Sequence, residues 1–417
     1  MKEVKLMWLC NLAPGAVREQ ISGKKSSGLW MDHVLSDLRK QEDLKVHILC
    51  PGGRERGNLD EHCGYSCFTE GLPFVYLPEL EMKFREELKA FRPDVIHIWG
   101  TEYGHTLAMV NAAEKEGMLS KVAVSIQGLC SVYAPHYAEG VPFRVQHGAT
   151  FRDVVRRDNI EQQQAKFSLR GKLEEEALKK VRHVIGRTDW DRACTAAVNP
   201  DAAYHFCNET LREEFYEGRW AYETCQKHRI FASSCAYPIK GFHYLLRSFR
   251  EVKKHYPDAV LAVPGDSPVA DTGSKKLRQS SYQQHLVQLM DGLEESVEFL
   301  GRLSSEEMKL QYLKANVFAL PSTIENSPNS LGEAMLLGVP CVAADVGGVS
   351  NMMTNREEGF VYQSTAPYML AHYLQEVFAM GETAEALGEK ARCHASRTHD
   401  PEINLKALLN IYREVAE

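Results

Sequence analysis

Short runs of apolar residues, many of them β-branched, recur along the chain, and between them lie stretches in which apolar positions return every three or four residues. Runs of the first kind predict strands at 4–10, 46–50, 95–99, 122–126 and 183–185, and again at 229–232, 260–263, 297–300, 317–320 and 341–344. Stretches of the second kind predict helices such as 28–39, 242–254, 305–315 and 402–415. The strand runs are apolar throughout instead of alternating, so both faces of each sheet must be covered. Strands alternating with helices then imply parallel sheets. The expected class is α/β, with two doubly wound, Rossmann-like domains facing across a cleft and ligands at the carboxyl ends of the strands.

The alternation breaks at about 196–228, a stretch rich in charged and aromatic side chains, and restarts at Arg229. The expected division is an N-terminal domain over 1–205, a connection over 206–228, a C-terminal domain over 229–400, and a last helix over 401–417 that returns to the N-terminal domain. A second irregular stretch, 130–166, interleaves Tyr133, His136, Tyr137, Phe143, His147 and Phe151 with Arg144, Arg152, Arg156 and Arg157. Long inserts of this kind are often functional. From 144 to 192 there are twelve Lys and Arg against eight Asp and Glu, so this part is basic within an acidic chain. As a solvated helical face it needs no function; as a binding surface it suits an anionic, lipid-linked acceptor, with contact to the inner membrane face through the N-terminal domain.

At 417 residues the chain exceeds what one hydrophobic core supports, in keeping with two domains. A net charge of −7 argues against general nucleic-acid binding, which favours a strongly basic domain. No apolar run is long enough to span a membrane, and residues 4–10 read as a first strand, not a signal peptide, so a cytoplasmic location is expected. Eleven scattered cysteines form neither a disulfide framework nor a zinc-site pattern. Asp189 and Asp191 have the spacing of a metal-binding Asp-X-Asp pair, but they follow a strand and open a helix, where capping accounts for them. No metal or other cofactor is expected.

The densest chemistry lies at 317–335. A buried strand ends in Leu320-Pro321-Ser322; a loop carries Glu325; and a helix begins near Pro328–Ser330 with Glu333 in its first turns. Unpaired N–H groups and the positive end of the helix dipole make such a start a place for a diphosphate. Carboxylates on either side can hold hydroxyls through strong, charge-assisted hydrogen bonds.

Glu325 and Glu333, with seven residues between them, follow ALPS at 319–322 and lead into EAMLLGVPCVAADVGG at 333–348. With YPIKGFHYLLRSF at 237–249, LAVPGD at 261–266, VEFLGRLSSEEM at 297–308 and ADVGGVSNMM at 344–353, the order and spacing resemble the retaining glycosyltransferases of family 4, which have the GT-B fold. The resemblance is specific over about 229–365 and holds only in outline before that. It implies transfer of a sugar from a nucleotide-sugar donor, most often UDP-linked, to a carbohydrate or lipid-linked acceptor with retention, in cell-surface polysaccharide or glycoconjugate synthesis. By the same resemblance Glu333 binds the donor ribose and Glu325 acts beside the transferred sugar. Lys240 neutralises the diphosphate, with Asn326, Ser327, Pro328, Asn329, Ser330 and Leu331 around diphosphate and sugar. Asp266 belongs to the same donor side, and the turn at Gly28 approaches the phosphates.

Three departures stand out. The family's arginine five residues before the lysine is Cys235 here, so leaving-group stabilisation is a cation short unless a residue such as Arg302 or Arg54 supplies it. The glutamate often found after the second glycine pair is replaced around Ser350–Asn351. Where an N-terminal-domain histidine is expected after strand 95–99, the chain has Trp99; His105 is then the catalytic candidate, with Trp99, Glu102 and Gln127 on the acceptor side. His97, inside an apolar strand, reads as a core histidine. Taken singly, Glu325 is a solvated loop carboxylate, Glu333 a helix first-turn residue and Lys240 a surface lysine; their joint register carries the reading. The alternatives are an epimerase-like or phosphorylase-like enzyme on the same fold, or a degenerate transferase that binds without catalysis.

Overall fold

A computed structural model describes residues 3–23, 30–269 and 277–417. The chain divides into two compact units, one of Met1–Tyr133, Lys166–Arg212 and Thr398–Glu417, the other of Ala134–Ala165 and Glu213–Arg397.

The first unit is built on strands β1 (Val4–Cys10), β2 (Leu44–Pro51), β3 (Arg56–Asn58), β4 (Cys63–Phe68), β5 (Val95–Trp99), β6 (Val122–Ser125), β7 (His183–Gly186) and β8 (Ala203–Phe206). Their order is β3-β4-β2-β1-β5-β6-β7-β8, all parallel except β3 against β4. The chain winds outward from β1 on one side, then returns to its other side, which places a switch point between β1 and β5. Leu6 pairs with Val46 on one flank and Val95 on the other, and Leu6 through Cys10 are fully buried. That burial on both faces is why β1 carries no polar alternation.

The helix Pro401–Ala416 belongs to this unit. Asp400 caps it by accepting from the Ile403 N–H, and Leu408, Ile411, Tyr412 and Val415 form its buried stripe. The Tyr412 hydroxyl accepts from the Trp8 indole N–H at 3.0 Å and lies 2.7 Å from His97 Nδ1, whose Nε2 is 2.7 Å from Ser125 Oγ. His97 is therefore the satisfied core histidine its setting suggests, and burial lowers its pKa to about 3, leaving it neutral.

The second unit carries β9 (Arg229–Phe231), β10 (Val260–Val263), β11 (Val297–Phe299), β12 (Val317–Leu320), β13 (Cys341–Asp345) and β14 (Phe360–Gln363). The order is β11-β10-β9-β12-β13-β14, parallel throughout, with the switch point between β9 and β12.

The sequence pattern and the structure differ in two regions. Residues 196–228 carry no apolar run, yet Ala203–Phe206 pairs with β7 as an edge strand, Ile185 opposite His205. An edge strand bonds one neighbour and leaves its side chains half-exposed, so it lacks the signature of a buried strand. The edge strands β3 and β14 lack that signature likewise, whereas β4 is buried between β2 and β3 but reads Cys63-Gly64-Tyr65-Ser66-Cys67-Phe68, without an apolar run. Residues 134–165, placed by the pattern in the N-terminal half, cluster with the second unit. The His136 carbonyl accepts from Thr323 Oγ1 (3.0 Å), the Glu139 carbonyl lies 3.0 Å from His243 Nε2, and Arg247 donates to the Gly140 carbonyl at 3.1 Å. Such long-range pairs leave no periodic trace in a sequence.

Tyr412→Phe removes the acceptor of Trp8 and the partner of His97 inside a closed core. We expect a loss of about 1–3 kcal/mol, read as a lower urea midpoint with an unchanged slope.

Candidate functional site

In the second unit the loops after β9 and β12 leave the two strands that flank the switch point. The turn Pro238–Lys240 follows β9 and ends at Gly241, whose φ is 67°. A Cβ on Gly241 would stand 1.7 Å from the Pro321 carbonyl oxygen, so only glycine lets the two loops touch. The Thr323 N–H closes the contact by donating to the Ile239 carbonyl at 2.9 Å. Lys240 Nζ then donates to Glu325 Oε1 at 2.6 Å, and Ser322 Oγ donates to the same oxygen at 2.8 Å. Glu325 is buried, whereas about a third of the Lys240 side chain is open to solvent. Gly347 and Gly348, after β13, hold the Glu325 main chain from another side. A Cβ on Gly347 (φ 53°) would lie 1.8 Å from the Glu325 carbonyl oxygen, which accepts from the Gly348 N–H at 3.2 Å.

Asn326 through Pro328 lead into the helix Asn329–Leu336, where Pro328 gives no side-chain cap and the Leu331 N–H bonds back to the Pro328 carbonyl at 2.9 Å. Asn326 and Leu331 are buried, Ser327, Asn329 and Ser330 partly exposed, and Glu333 sits buried in the helix. The Ser330 carbonyl is fixed by the Tyr312 hydroxyl at 3.0 Å. Asp266 and Arg302 are exposed on the loops after β10 and β11, which reciprocal Gly265–Gly301 bonds of 2.8 and 3.1 Å tie together. Cys235 donates to the Pro264 carbonyl beside them, and burial pushes its thiol up to about 11, so it is neutral where the resembled family has a cation. Gly28 lies outside the described residues.

In the first unit the sequence candidates gather into two groups. Asn11, directly after β1, lies 2.8 Å from His105 Nε2 through its Oδ1 and donates to Glu102 Oε2 at 3.0 Å. His105 is buried at the start of the helix Gly104–Lys115, and burial lowers its pKa to about 3. Desolvation, reinforced by the nearby Glu174 carboxylate, raises Glu102 to about 7. Glu174 is itself buried, accepting from the Cys130 and Ser131 N–H groups and the Thr101 and Ser131 hydroxyls. Gln127 belongs to the second group: it donates to Glu209 at 2.6 Å, and Glu209 pairs with the buried Arg187. Trp99 is a core residue, edge-on to Trp8 and Trp30, and it lines a small cavity with Arg187 and Glu209. Asn11, Arg187, Glu209, Ser322 and the Gly347–Gly348 pair were not among the sequence candidates. The signal for Asn11 was its place at the carboxyl end of β1; the others follow strand ends likewise.

Asp191 works as a cap: Thr188 accepts from its N–H, and its carboxylate accepts from the Arg187 N–H at 2.9 Å. Among the described residues one group, His183, His205 and Glu414, has donor atoms close enough for a metal ion. The eleven cysteines are free. No helix among the described residues is long and apolar enough to cross a membrane.

Residues 224–394 match the sequence family described as glycosyl transferases group 1. The chain is 29% identical over 180 residues to D-inositol 3-phosphate glycosyltransferase of Corynebacterium urealyticum, covering 42% of this chain and 41% of that one. It is 26% identical over 217 residues to GDP-mannose-dependent alpha-(1-6)-phosphatidylinositol monomannoside mannosyltransferase of Mycolicibacterium smegmatis, 50% of each. It thus spans half or less of the length of these relatives. Among solved structures, sucrose-phosphate synthase of Thermosynechococcus elongatus is similar with a TM-score of 0.71 at 15% identity over 99% of both chains. Anabaena HepE, solved with UDP-glucose, is similar with a TM-score of 0.65 at 16% identity over 98% of this chain and 99% of that one. The fold is GT-B, and the matches support a group 1 glycosyltransferase.

The raised Glu102 gives a pH test. A carboxyl whose pKa is about 7 in the folded protein and near its ordinary value when unfolded stabilises the fold below the ordinary value, and that contribution is lost as pH rises through 7. Between pH 5 and pH 8 the wild type should therefore lose stability relative to Glu102→Gln. Parallel urea titrations at the two pH values read the difference; a constant gap would refute the shift.

Proposed function

We propose that the protein moves a hexose from a nucleotide-sugar donor, UDP-linked, to a carbohydrate or lipid-linked acceptor with retention of anomeric configuration, in cell-surface polysaccharide or glycoconjugate synthesis. The observation that carries this reading is the meeting of Lys240 and Glu325 at the β9–β12 switch point, a few residues before the uncapped start of the 329–336 helix. A partly exposed cation and a helix start suit a diphosphate, and a buried carboxylate beside them suits a sugar carrying positive charge. The likeness to HepE solved with UDP-glucose supports a uridine diphosphate sugar.

In this reading the Lys240 ammonium swings from Glu325 toward the diphosphate as the donor enters, leaving the carboxylate to face the sugar. Glu333 holds the ribose hydroxyls. Reaction is front-side: the acceptor oxygen bonds to the anomeric carbon as the bond from that carbon to the phosphate oxygen breaks, and the acceptor proton passes to a donor phosphate oxygen. The protein positions the reactants and stabilises an oxocarbenium-like sugar and a departing diphosphate; no side-chain nucleophile is needed. In the first unit His105, with Glu102 and Gln127, serves the acceptor side. Cys235 favours a second reading, a chain that binds the donor without transferring sugar. Donor hydrolysis without acceptor, scanned over several nucleotide sugars, separates the two: tight binding with no hydrolysis of any donor supports the second.

Two outcomes test the roles. Glu333→Ala should raise the donor KM and weaken nucleoside diphosphate binding by roughly 10- to 150-fold, while Glu325→Gln should lower kcat on the order of 10²-fold with diphosphate affinity nearly unchanged. Calorimetry with the free diphosphate beside steady-state kinetics decides, and the reverse pattern would overturn the assignment. Because Lys240 and helix N–H groups take the leaving diphosphate, turnover should survive excess EDTA; activity lost on chelation and restored by magnesium or manganese would refute this.

A further inference from the structure

The second unit carries its own concentration of exposed apolar surface. Phe143 (75% exposed), Phe151 (68%), Val154 (65%), Val155 (66%) and Leu277 (61%) lie within residues 143–155 and at 277. Single exposed apolar residues are ordinary, but a contiguous set marks an interaction site. Phe151, Val155 and Leu277 line one shallow groove together with Arg152, Arg156 and Arg278, so apolar and cationic groups are interleaved there.

This surface is built, and its exposure is not that of a loose loop. Thr150 caps the helix Phe151–Arg156 and donates through Oγ1 to the Gln279 carbonyl at 2.7 Å. Asp153, fully buried, accepts from the Thr150 N–H at 3.1 Å and from the Ser281 N–H at 2.8 Å. One face of the short helix is thereby anchored to the 279–281 backbone, and Phe151, Val154 and Val155 are held outward. The acids of the stretch are already engaged: Asp153 is buried, and Asp158 is paired with Arg152 at 2.7 Å. Arg144, Arg156, Arg157 and Arg278 remain exposed, a local positive charge on a chain whose net charge is −7.

We propose that this face docks on an anionic lipid bilayer, the apolar side chains entering the headgroup–acyl boundary and the arginines pairing with lipid phosphates. A bilayer fits better than a second copy of the chain, because a two-fold contact would set the same arginines against each other. It also fits the combination of the two features, since apolar insertion and phosphate attraction add at a membrane surface. The proposal is independent of which donor the protein uses, and it places the membrane contact on residues 143–157 and 277–278 of the second unit.

The test uses the full chain and extruded vesicles of phosphatidylcholine alone or mixed equally with phosphatidylglycerol. We expect co-sedimentation with the anionic vesicles, little with the neutral ones, and weakening as salt is raised. The triple variant Phe151→Ser, Val154→Ser, Val155→Ser should bind tenfold or more weakly, with an unchanged thermal melt because all three side chains are exposed. Arg156→Glu with Arg278→Glu should weaken binding at low salt by roughly fivefold or more per site. Wild-type protein left in the supernatant with anionic vesicles, or a triple variant that binds as well as wild type, overturns the proposal. So does a wild-type dimer in sedimentation equilibrium that the triple variant abolishes, which would make the face a self-association surface. Donor hydrolysis without vesicles is read separately, so failure of docking and failure of the transfer reading are distinguishable.

Discussion

The candidate donor site depends on backbone clearance at two glycines. At Gly241 a single added carbon would stand 1.7 Å from the Pro321 carbonyl oxygen, and at Gly347 it would stand 1.8 Å from the Glu325 carbonyl oxygen. Both residues have positive φ, which glycine adopts at no steric cost. Because the chains touch main chain to main chain, the loops after β9, β12 and β13 form one tight layer over the carboxyl end of the sheet. Lys240 then needs no long reach to meet Glu325, and Ser322 shares the same carboxylate oxygen. The polar chemistry is a consequence of that packing.

The two units handle charge differently. In the second, Lys240 pairs with Glu325 while about a third of its side chain stays open to solvent. In the first, the polar groups are withdrawn from water and lose or share their charge. His105 and His97 are held neutral by burial, Glu102 is raised to about 7, and Glu174 is raised while four donors surround it. Arg187 and Glu209 neutralise each other in the core. Buried charges of this sort persist only when paired or protonated.

Much of this was legible beforehand where the code is local. The central strands are buried on both faces and read as apolar runs, so β1, β5, β10 and β12 were bounded to the residue. Asp191 was legible as a capping residue from its position between strand and helix. The edge strands were hidden because β8 and β14 bury only part of their surface, and a half-exposed Tyr204 or His205 looks like loop. Trp99 was placed on the acceptor side by its position at a strand end, but its ring packs among Trp8, Trp30 and His97.

By itself the sequence determined the α/β class, the parallel winding of the sheets apart from β3, the loops that carry the candidate donor residues, and the register that sets Lys240, Glu325 and Glu333 on consecutive features of one sheet end. These follow from periodicity, glycine position and helix starts, all properties of a few neighbouring residues. Only the tertiary structure decided that Lys240 bonds Glu325, that Asn11 joins His105 to Glu102, and that residues 134–165 pack with a unit whose remaining chain begins some fifty residues later. Those contacts join residues 85, 94 or more than 100 positions apart, as for Lys240 with Glu325, Asn11 with His105 and Glu139 with His243. The free energy of such a contact depends on burial and on which backbone lies opposite, and neither is a property of the local sequence.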